Sequence, residues 1–556
     1  MLNAAIRRLP ALLPSLNGQW LTSALAVLLL LPLLSVVLSF SQPQGDIWQH
    51  LAETVLASYI SNSIILALGV GIGTFIVGTS LAWICSRYEF PLRRLISGMV
   101  LLPLAIPAYI IAYCYTGFLD YAGPVQSSLR SLFGWHYGDY WFPQIRSMGG
   151  AISMLTLVLY PYVYLLARNA FSEQSASLYE ASRALGHSHS RYILKVAIPL
   201  ARPAILAGVA LAMMEAFADF GTVQYFGVNT FTTGIFRIWF GMGNSIAAAQ
   251  LSALLVGFVL VLLLLEKYSR RKIEYYYLGV KTVKPARIVV RGSAAFALTS
   301  YCLLPVILGF GLPFSLLLNW AVDVGWAQLD ARFISAFTNS FYLAALASVL
   351  IVTLAIIFGY ARRLKHRLAL PAINLASMGY AVPGTVIAVG VIVPLSGFDK
   401  ALDAFLMTTI GFSSGLLLSG SLFALLFAYA VRFLAVALHQ VDVGLGRIKP
   451  SMDQAARSLG LKQNKVLTKI HIPIMRASLF SALMLVFVDV LKELPATLIL
   501  RPFNFNTLAV KAYELASDER LHDAALPALT IVLISIIPVI LLTRAIHKYE
   551  QDHAQT

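Results

Sequence analysis

Glu215 and Asp219, and again Asp489 and Glu493, lie in stretches otherwise built from Leu, Val, Phe, Met and Ala. A charge near the middle of a bilayer costs roughly 2.5–3.5 kcal/mol on insertion scales, so each of these carboxylates needs a reason. Within each stretch the two acids are four positions apart, which places them on one face of a helix. Carboxylate oxygen suits hard, highly charged cations, whereas soft ions ask for thiolate or thioether groups. Glu215, Asp219, Asp489, Lys492 and Glu493 are therefore candidates to line a route for a cation, with Lys492 placed to neutralise Asp489 three positions before it. The competing account is structural: the acids hold helix ends, arginines or Lys492. No permanent metal site is expected. Cys85, Cys114 and Cys302 lack metal-ligand spacing and read as small core residues. His187 and His189, whose counterparts are Leu461 and Gln463, read as parts of a solvated turn, since two imidazoles alone make a poor site.

A second feature is polar and duplicated. Glu180-Ala181-Ser182-Arg183-Ala184-Leu185-Gly186, followed by Pro199 and Arg202, recurs without a gap as Gln454-Ala455-Ala456-Arg457-Ser458-Leu459-Gly460, followed by Pro473 and Arg476. Leu178, Ala181 and Leu185 share one helical face, and Met452, Ala455 and Leu459 keep that register. Gly186 and Gly460 are expected to close these helices in a left-handed cap. A short turn then leads to a second helical run expected to stop at Ile198-Pro199 and Ile472-Pro473. No Gly-x-x-x-x-Gly-Lys-Ser/Thr occurs, so the chain has no phosphate-cradling loop of that kind, and no Ser/His/Asp or Cys/His set points to catalysis.

The elements that carry these residues follow from composition. Of 556 residues, 59% are hydrophobic and 12% charged, half the usual charged share, which excludes a soluble globular chain. Apolar runs long enough to span a bilayer lie at about 20–41, 59–86, 95–118, 147–170, 203–224 and 247–265, then 292–320, 337–361, 370–395, 413–437, 477–499 and 523–543. The fold class is thus an all-α polytopic membrane protein with about twelve transmembrane helices. Alternating the loops puts 32 of the 41 Lys and Arg on the side of the N-terminus, so both termini and both repeated motifs are expected in the cytoplasm. The net charge of +16 reads as topology and contact with anionic membrane lipid, with no nucleic-acid partner. Arg7 and Arg8 precede an apolar run longer than a signal core, so the first helix is expected to be retained.

The halves match beyond the motif: Asn62-Ser63 with Asn339-Ser340, Pro107 with Pro383, Phe231-Thr232-Thr233 with Phe505-Asn506-Thr507, and Leu251 with Leu526. A unit of six spans keeps its orientation on duplication, so the two six-helix repeats are parallel, related by a pseudo-twofold axis along the membrane normal. The first repeat covers 1–265 with its loop at about 172–202, a basic cytoplasmic linker with Tyr275-Tyr276-Tyr277 covers 266–291, and the second repeat covers 292–556 with its loop at about 444–476. The leading span of each repeat aligns least and is expected to be peripheral. Trp20, Trp48, Trp141, Trp320 and Trp326 lie near span ends, where such rings anchor at the interface.

Glu-Ala-x-x-x-x-Gly followed at this distance by Ile-x-Pro resembles the coupling loop of permease subunits in ATP-binding-cassette importers. The resemblance implies that Glu180, Ala181, Arg183, Gly186 and Pro199, with Gln454, Ala455, Arg457, Gly460 and Pro473, contact a separate nucleotide-binding ATPase, present in two copies, which binds ATP and Mg. The chain itself would bind no cofactor and catalyse no reaction. Gln454 departs from the family's Glu, which puts in doubt any role of negative charge there. Two fused six-span halves, with the segments Asp219-Phe220-Gly221-Thr222 and Ala249-Gln250-Leu251, resemble ferric-iron permeases of the bacterial inner membrane. That implies a periplasmic substrate-binding protein delivering Fe³⁺. Thiamine and polyamine permeases are the alternatives within the class, and a secondary transporter driven by an ion gradient lies outside it.

Overall fold

The structure is a computed structural model that describes residues 16–136, 138–270, 287–325, 329–366 and 368–552. Most of the basic linker, including Tyr275–Tyr277, and also Arg7, Arg8, Trp326 and Arg367, lie outside the described residues.

Among the described residues eleven helices are long and apolar enough to cross a membrane, twelve if one bent pair counts as a span. The bent pair is the third expected span, where Arg93–Ala105 and Ala108–Phe133 meet at 92°. The cause is Ile106-Pro107. The residue before a proline is driven out of the α region, and Ile106 adopts φ −98°, ψ 119°. The ninth expected span breaks identically at Val382-Pro383, with Val382 at φ −87°, ψ 130° ahead of the helix Gly384–Ile410. Continuous apolar composition hides such breaks from a hydropathy scan.

Two compact units emerge, and each takes sequence from both halves. One comprises Met1–His50, Ile235–Val256 and Leu329–Lys511. Here the leading helix Leu16–Leu38 packs on Gly384–Ile410 and Leu370–Ala376, both from the other sequence repeat. Gly390 lets the Pro32 carbonyl approach, and Ser35 donates to the Gly390 carbonyl at 2.6 Å. The other unit comprises Leu51–Gly234, Gly257–Gln328 and Ala512–Thr556. In it the helix Leu312–Val324, the last part of the second repeat's leading span, packs on Leu521–Asp552 and on Ala108–Leu119 of the first repeat.

Within each unit the second, fourth and fifth helices of a repeat form the core: Leu56–Arg87, Met148–Ser172 and Ile198–Ala218 in one, Ala331–Arg363, Leu422–Gly446 and Ile472–Leu491 in the other. Small residues let such helices close where lipid offers no hydrophobic drive. A side chain at Gly78 or Gly208 would strike Val163 from either side.

The repeated Asn-Ser has a structural use. Asn62 donates to the Asn229 carbonyl at 2.9 Å and Ser63 accepts from Phe231 N–H; Asn339 donates to the Asn506 carbonyl and Ser340 accepts from Leu508 N–H. Phe231 is thus matched in space by Leu508, and the sequence pairing of Phe231 with Phe505 slips by three residues. Cys85, Cys114 and Cys302 are buried and free, as small core residues are. Of the tryptophans expected to anchor at the interface, Trp320 is buried and stacks near Tyr113 and His522, while Trp48 is half-buried and donates to Gln250.

Candidate functional site: two helical hairpins and two helix breaks

Both repeated motifs fold alike. Ala176–Ala184 and Pro450–Ser458 are short helices. Each ends in a Schellman turn: Gly186 N–H bonds to the Arg183 carbonyl and His187 N–H to the Ser182 carbonyl, while Gly460 bonds to Arg457 and Leu461 to Ala456. Gly186 at φ +79° and Gly460 at φ +81° supply the left-handed residue this motif needs.

Ser182 and Ala456 face inward and are buried. The outward side presents Leu178 and Leu185, 40% and 78% exposed, and Met452 and Leu459, 41% and 83% exposed. Glu180, Ala181, Arg183 and Gly186 are exposed, as are Gln454, Ala455, Arg457 and Gly460. Each hairpin therefore holds an apolar pair within a polar surround, with Glu180 on the first where the second has the neutral Gln454.

The second helical run does not stop at Ile-Pro. His189–Ala218 and Gln463–Leu491 are continuous rods. Each contains one π turn, Ile193–Ala197 and Leu467–His471, closed by Ile198 N–H on the Ile193 carbonyl and Ile472 N–H on the Leu467 carbonyl. A proline in an α-helix collides with the carbonyl four residues earlier. The wider turn directly before Pro199 and Pro473 relieves that collision, and both prolines sit in the first turn of the α-helical segment that follows.

His189 is not in a solvated turn. It is half-buried, its Nε2 lies 2.8 Å from the Tyr88 hydroxyl, and it packs against Trp83 and Tyr179. His187 Nδ1 lies 3.1 Å from the Ser182 hydroxyl. The signal for this cluster was present in the sequence as Trp83, Tyr88, Tyr179 and Tyr192, but only folding brings them together.

The acids sit elsewhere, and not on continuous helices. The fifth span stops at Ala218, and Asp219 is extended, with φ −65° and ψ 132°. Its carboxylate accepts from Val223 N–H and the Thr222 hydroxyl, both at 3.0 Å, and so caps the short helix Gly221–Tyr225. Glu493 does the same for Pro495–Leu500, accepting from Ala496 and Thr497 N–H at 2.9 and 3.0 Å and from the Thr497 hydroxyl at 2.6 Å. The helical four-residue spacing thus does not relate Glu215 to Asp219 or Asp489 to Glu493.

The two breaks differ in charge. Glu493 is buried with Arg432 at 3.3 Å, and Lys492 lies 3.0 Å from Asp489. Val158 occupies the first-repeat position matching Arg432, and Asp219 accepts bonds only from uncharged donors among the described residues. Among those residues no three His, Cys, Asp or Glu side chains converge.

Membrane helices in two matched sets, each bearing one Gly-terminated hairpin, define a duplicated multi-pass membrane protein. Residues 75–275 match the family described as binding-protein-dependent transport system inner membrane component. The chain is 27% identical over 499 residues to the Fe(3+)-transport system permease protein FbpB 2 of Haemophilus influenzae, covering 89% of this chain and 91% of that one. It is 31% identical over 221 residues to a probable molybdenum ABC transporter permease of Haloferax volcanii, covering 39% and 77%. The sulfate transport permease CysT of Escherichia coli is 28% identical over 230 residues, covering 40% and 77%. The chain belongs to this family of inner-membrane permeases of binding-protein-dependent ABC transporters, in the fused form that carries two permease repeats.

Proposed function

We propose that the two hairpins dock on two copies of a nucleotide-binding ATPase, which binds ATP and Mg, and that closure of the ATPase pair moves the two repeats to import cargo. The carrying observation is the duplicated Schellman-capped hairpin with its exposed apolar pair, Leu178 and Leu185 or Met452 and Leu459. An apolar core within a polar rim is the anatomy of a protein interface, and a merely membrane-lying helix has no need of the same Gly and Pro spacing twice. The charge bias of the loops supports a cytoplasmic placement for hairpins and termini. A periplasmic substrate-binding protein would then deliver cargo at the opposite face.

Ferric iron is the favoured cargo, because likeness to a permease named for Fe(3+) runs through both repeats, whereas likeness to molybdenum and sulfate permeases covers about one repeat. Carboxylate at the first-repeat break suits a hard cation. Asp219, whose carboxylate accepts from Val223 N–H and the Thr222 hydroxyl, carries that role better than Asp489 and Glu493, which are matched by Lys492 and Arg432.

Two assays test this. Full-length chain should co-purify with its partner ATPase, and Gly186→Val with Gly460→Val should abolish the association; undiminished association refutes docking. Vesicles loaded with ATP should accumulate ferric iron supplied on the binding protein. Uptake of thiamine or a polyamine instead would replace the cargo, and uptake in energised vesicles without ATP would replace the whole mechanism by an ion-driven one. Glu215→Gln with Asp219→Asn leaving uptake unchanged would remove the acids from the route.

A further inference from the structure

The second-span helix of each repeat ends on an arginine, Arg87 or Arg363, directly behind the hairpin of that repeat. Arg363 works through ions. Its Nε lies 2.9 Å from the Asp453 carboxylate, Nη1 donates to the Leu445 carbonyl at 2.8 Å, and Nη2 donates to the Ile448 carbonyl at 3.0 Å. The other Asp453 oxygen lies 2.6 Å from Nε2 of the buried His471, on the second helix of the hairpin. Tyr360, on the same helix as Arg363, stands with its ring 5.6 Å from His471 and donates to the Gln463 carbonyl at 3.0 Å. One guanidinium thus ties the loop before the hairpin and its first helix, and through Asp453 its second.

Arg87 works through rings. Its Cζ lies 5.3 Å from the Tyr179 ring and 5.5 Å from the Trp83 ring. Tyr179 meets Tyr192 edge-on at 5.1 Å. Tyr179 stands where the second repeat has Asp453, and Ala197 where it has His471. Cation–π attraction of a desolvated guanidinium replaces the ion pair.

We propose that these are two positioning clamps of different chemistry, Arg363–Asp453–His471 and Arg87–Tyr179–Trp83, each fixing its hairpin to the end of the second span so that movement of one moves the other. The clamps are contained wholly within each unit. Their role in coupling rests on the docking proposed above, whereas their role in holding the hairpin does not.

The test uses the full chain, alone and assembled with its ATPase. In the chain alone, Asp453→Asn should raise hydrogen exchange of the amides in 450–458 by about tenfold or more while 176–184 stay unchanged, as expected when local opening is eased in one hairpin. In the assembly, the ATPase should remain bound, but the stimulation of ATP hydrolysis by the binding protein should fall several-fold. Asp453→Tyr combined with His471→Ala installs the first repeat's pair and should return both readouts to within about twofold of the unmodified chain. Unchanged exchange in the Asp453→Asn chain, or a Tyr/Ala double variant no better than Asp453→Ala, overturns the clamp. An ATPase that never co-purifies with the unmodified chain overturns docking instead, and the exchange readout still decides the clamp.

Discussion

At the scale of single residues, Gly186 and Gly460 show why cost and contact must be separated. A Cβ added at either meets nothing within 4 Å, so substitution acts through the backbone, at about 1–2 kcal/mol for a left-handed L-residue. Asn, which tolerates that conformation, should preserve the turn where Val opens it; hydrogen exchange of His187 and Leu461 reads the difference. The Arg432–Glu493 pair should behave oppositely. Removing Glu493 alone leaves the half-buried Arg432 without its anion and should cost about 3 kcal/mol, while Arg432→Met with Glu493→Gln should cost much less; thermal unfolding in detergent compares them. Burial pushes the Asp453 carboxyl up, but the bonds and charges of Arg363 and His471 outweigh it and hold it below the usual range. Its contribution is therefore complete above the unfolded value of about 3.9 and is lost as pH falls through the lower folded value. Acidification across that window should loosen 450–458 and spare 176–184, whose anchor contains no carboxylate. Residue types forecast the glycine caps directly, because a positive φ has few tenants. They did not forecast Asp453, since an acid among polar residues looks solvated until Arg363 and His471 arrive from elsewhere in the chain.

At the scale of elements, the membrane spans were legible because length and apolarity are local properties, while their interruptions were only half legible. Pro107 and Pro383 were visible as a repeated pair, yet their apolar neighbours, Leu104, Ile106 and Ile110 at the one and Ala381, Val382 and Val386 at the other, keep the hydropathy high through both bends. Asp219 and Glu493 look like helix-face residues by spacing and prove to be caps, because a carboxylate beside unpaired N–H groups ends one helix and begins another. The π turns before Pro199 and Pro473 left no signature beyond the prolines. Pro473→Ala removes the collision that favours the wide turn. The turn should then close as α, rotating the hairpin by about 100° relative to the span for the one residue gained. Spin-label distances from Leu459 to a site in 477–491 should shift in this variant; distances matching the unmodified chain would show that the wide turn is held by tertiary packing alone.

At the scale of the molecule, the duplication was readable from the motif and the Asn-Ser pairs, but the exchange of leading helices was not. The helix Leu16–Leu38 has little sequence likeness to its counterpart, and nothing local says that it rests on Gly384–Ile410. Each compact unit is thereby assembled from both repeats. Residues 1–265 expressed alone should accordingly be degraded, whereas co-expression with 266–556 should restore a stable, co-purifying pair; a stable solitary half in detergent would contradict the exchange. The same arrangement sets an order of events at the ribosome. The helix Leu16–Leu38 cannot reach its resting place until the polypeptide beyond residue 384 has been made, a delay on the order of half a minute at ordinary elongation rates. Throughout that interval a nascent hydrophobic segment lies unclaimed in lipid, so slowed translation or an insertase that lets go early should injure this protein at its beginning rather than its end.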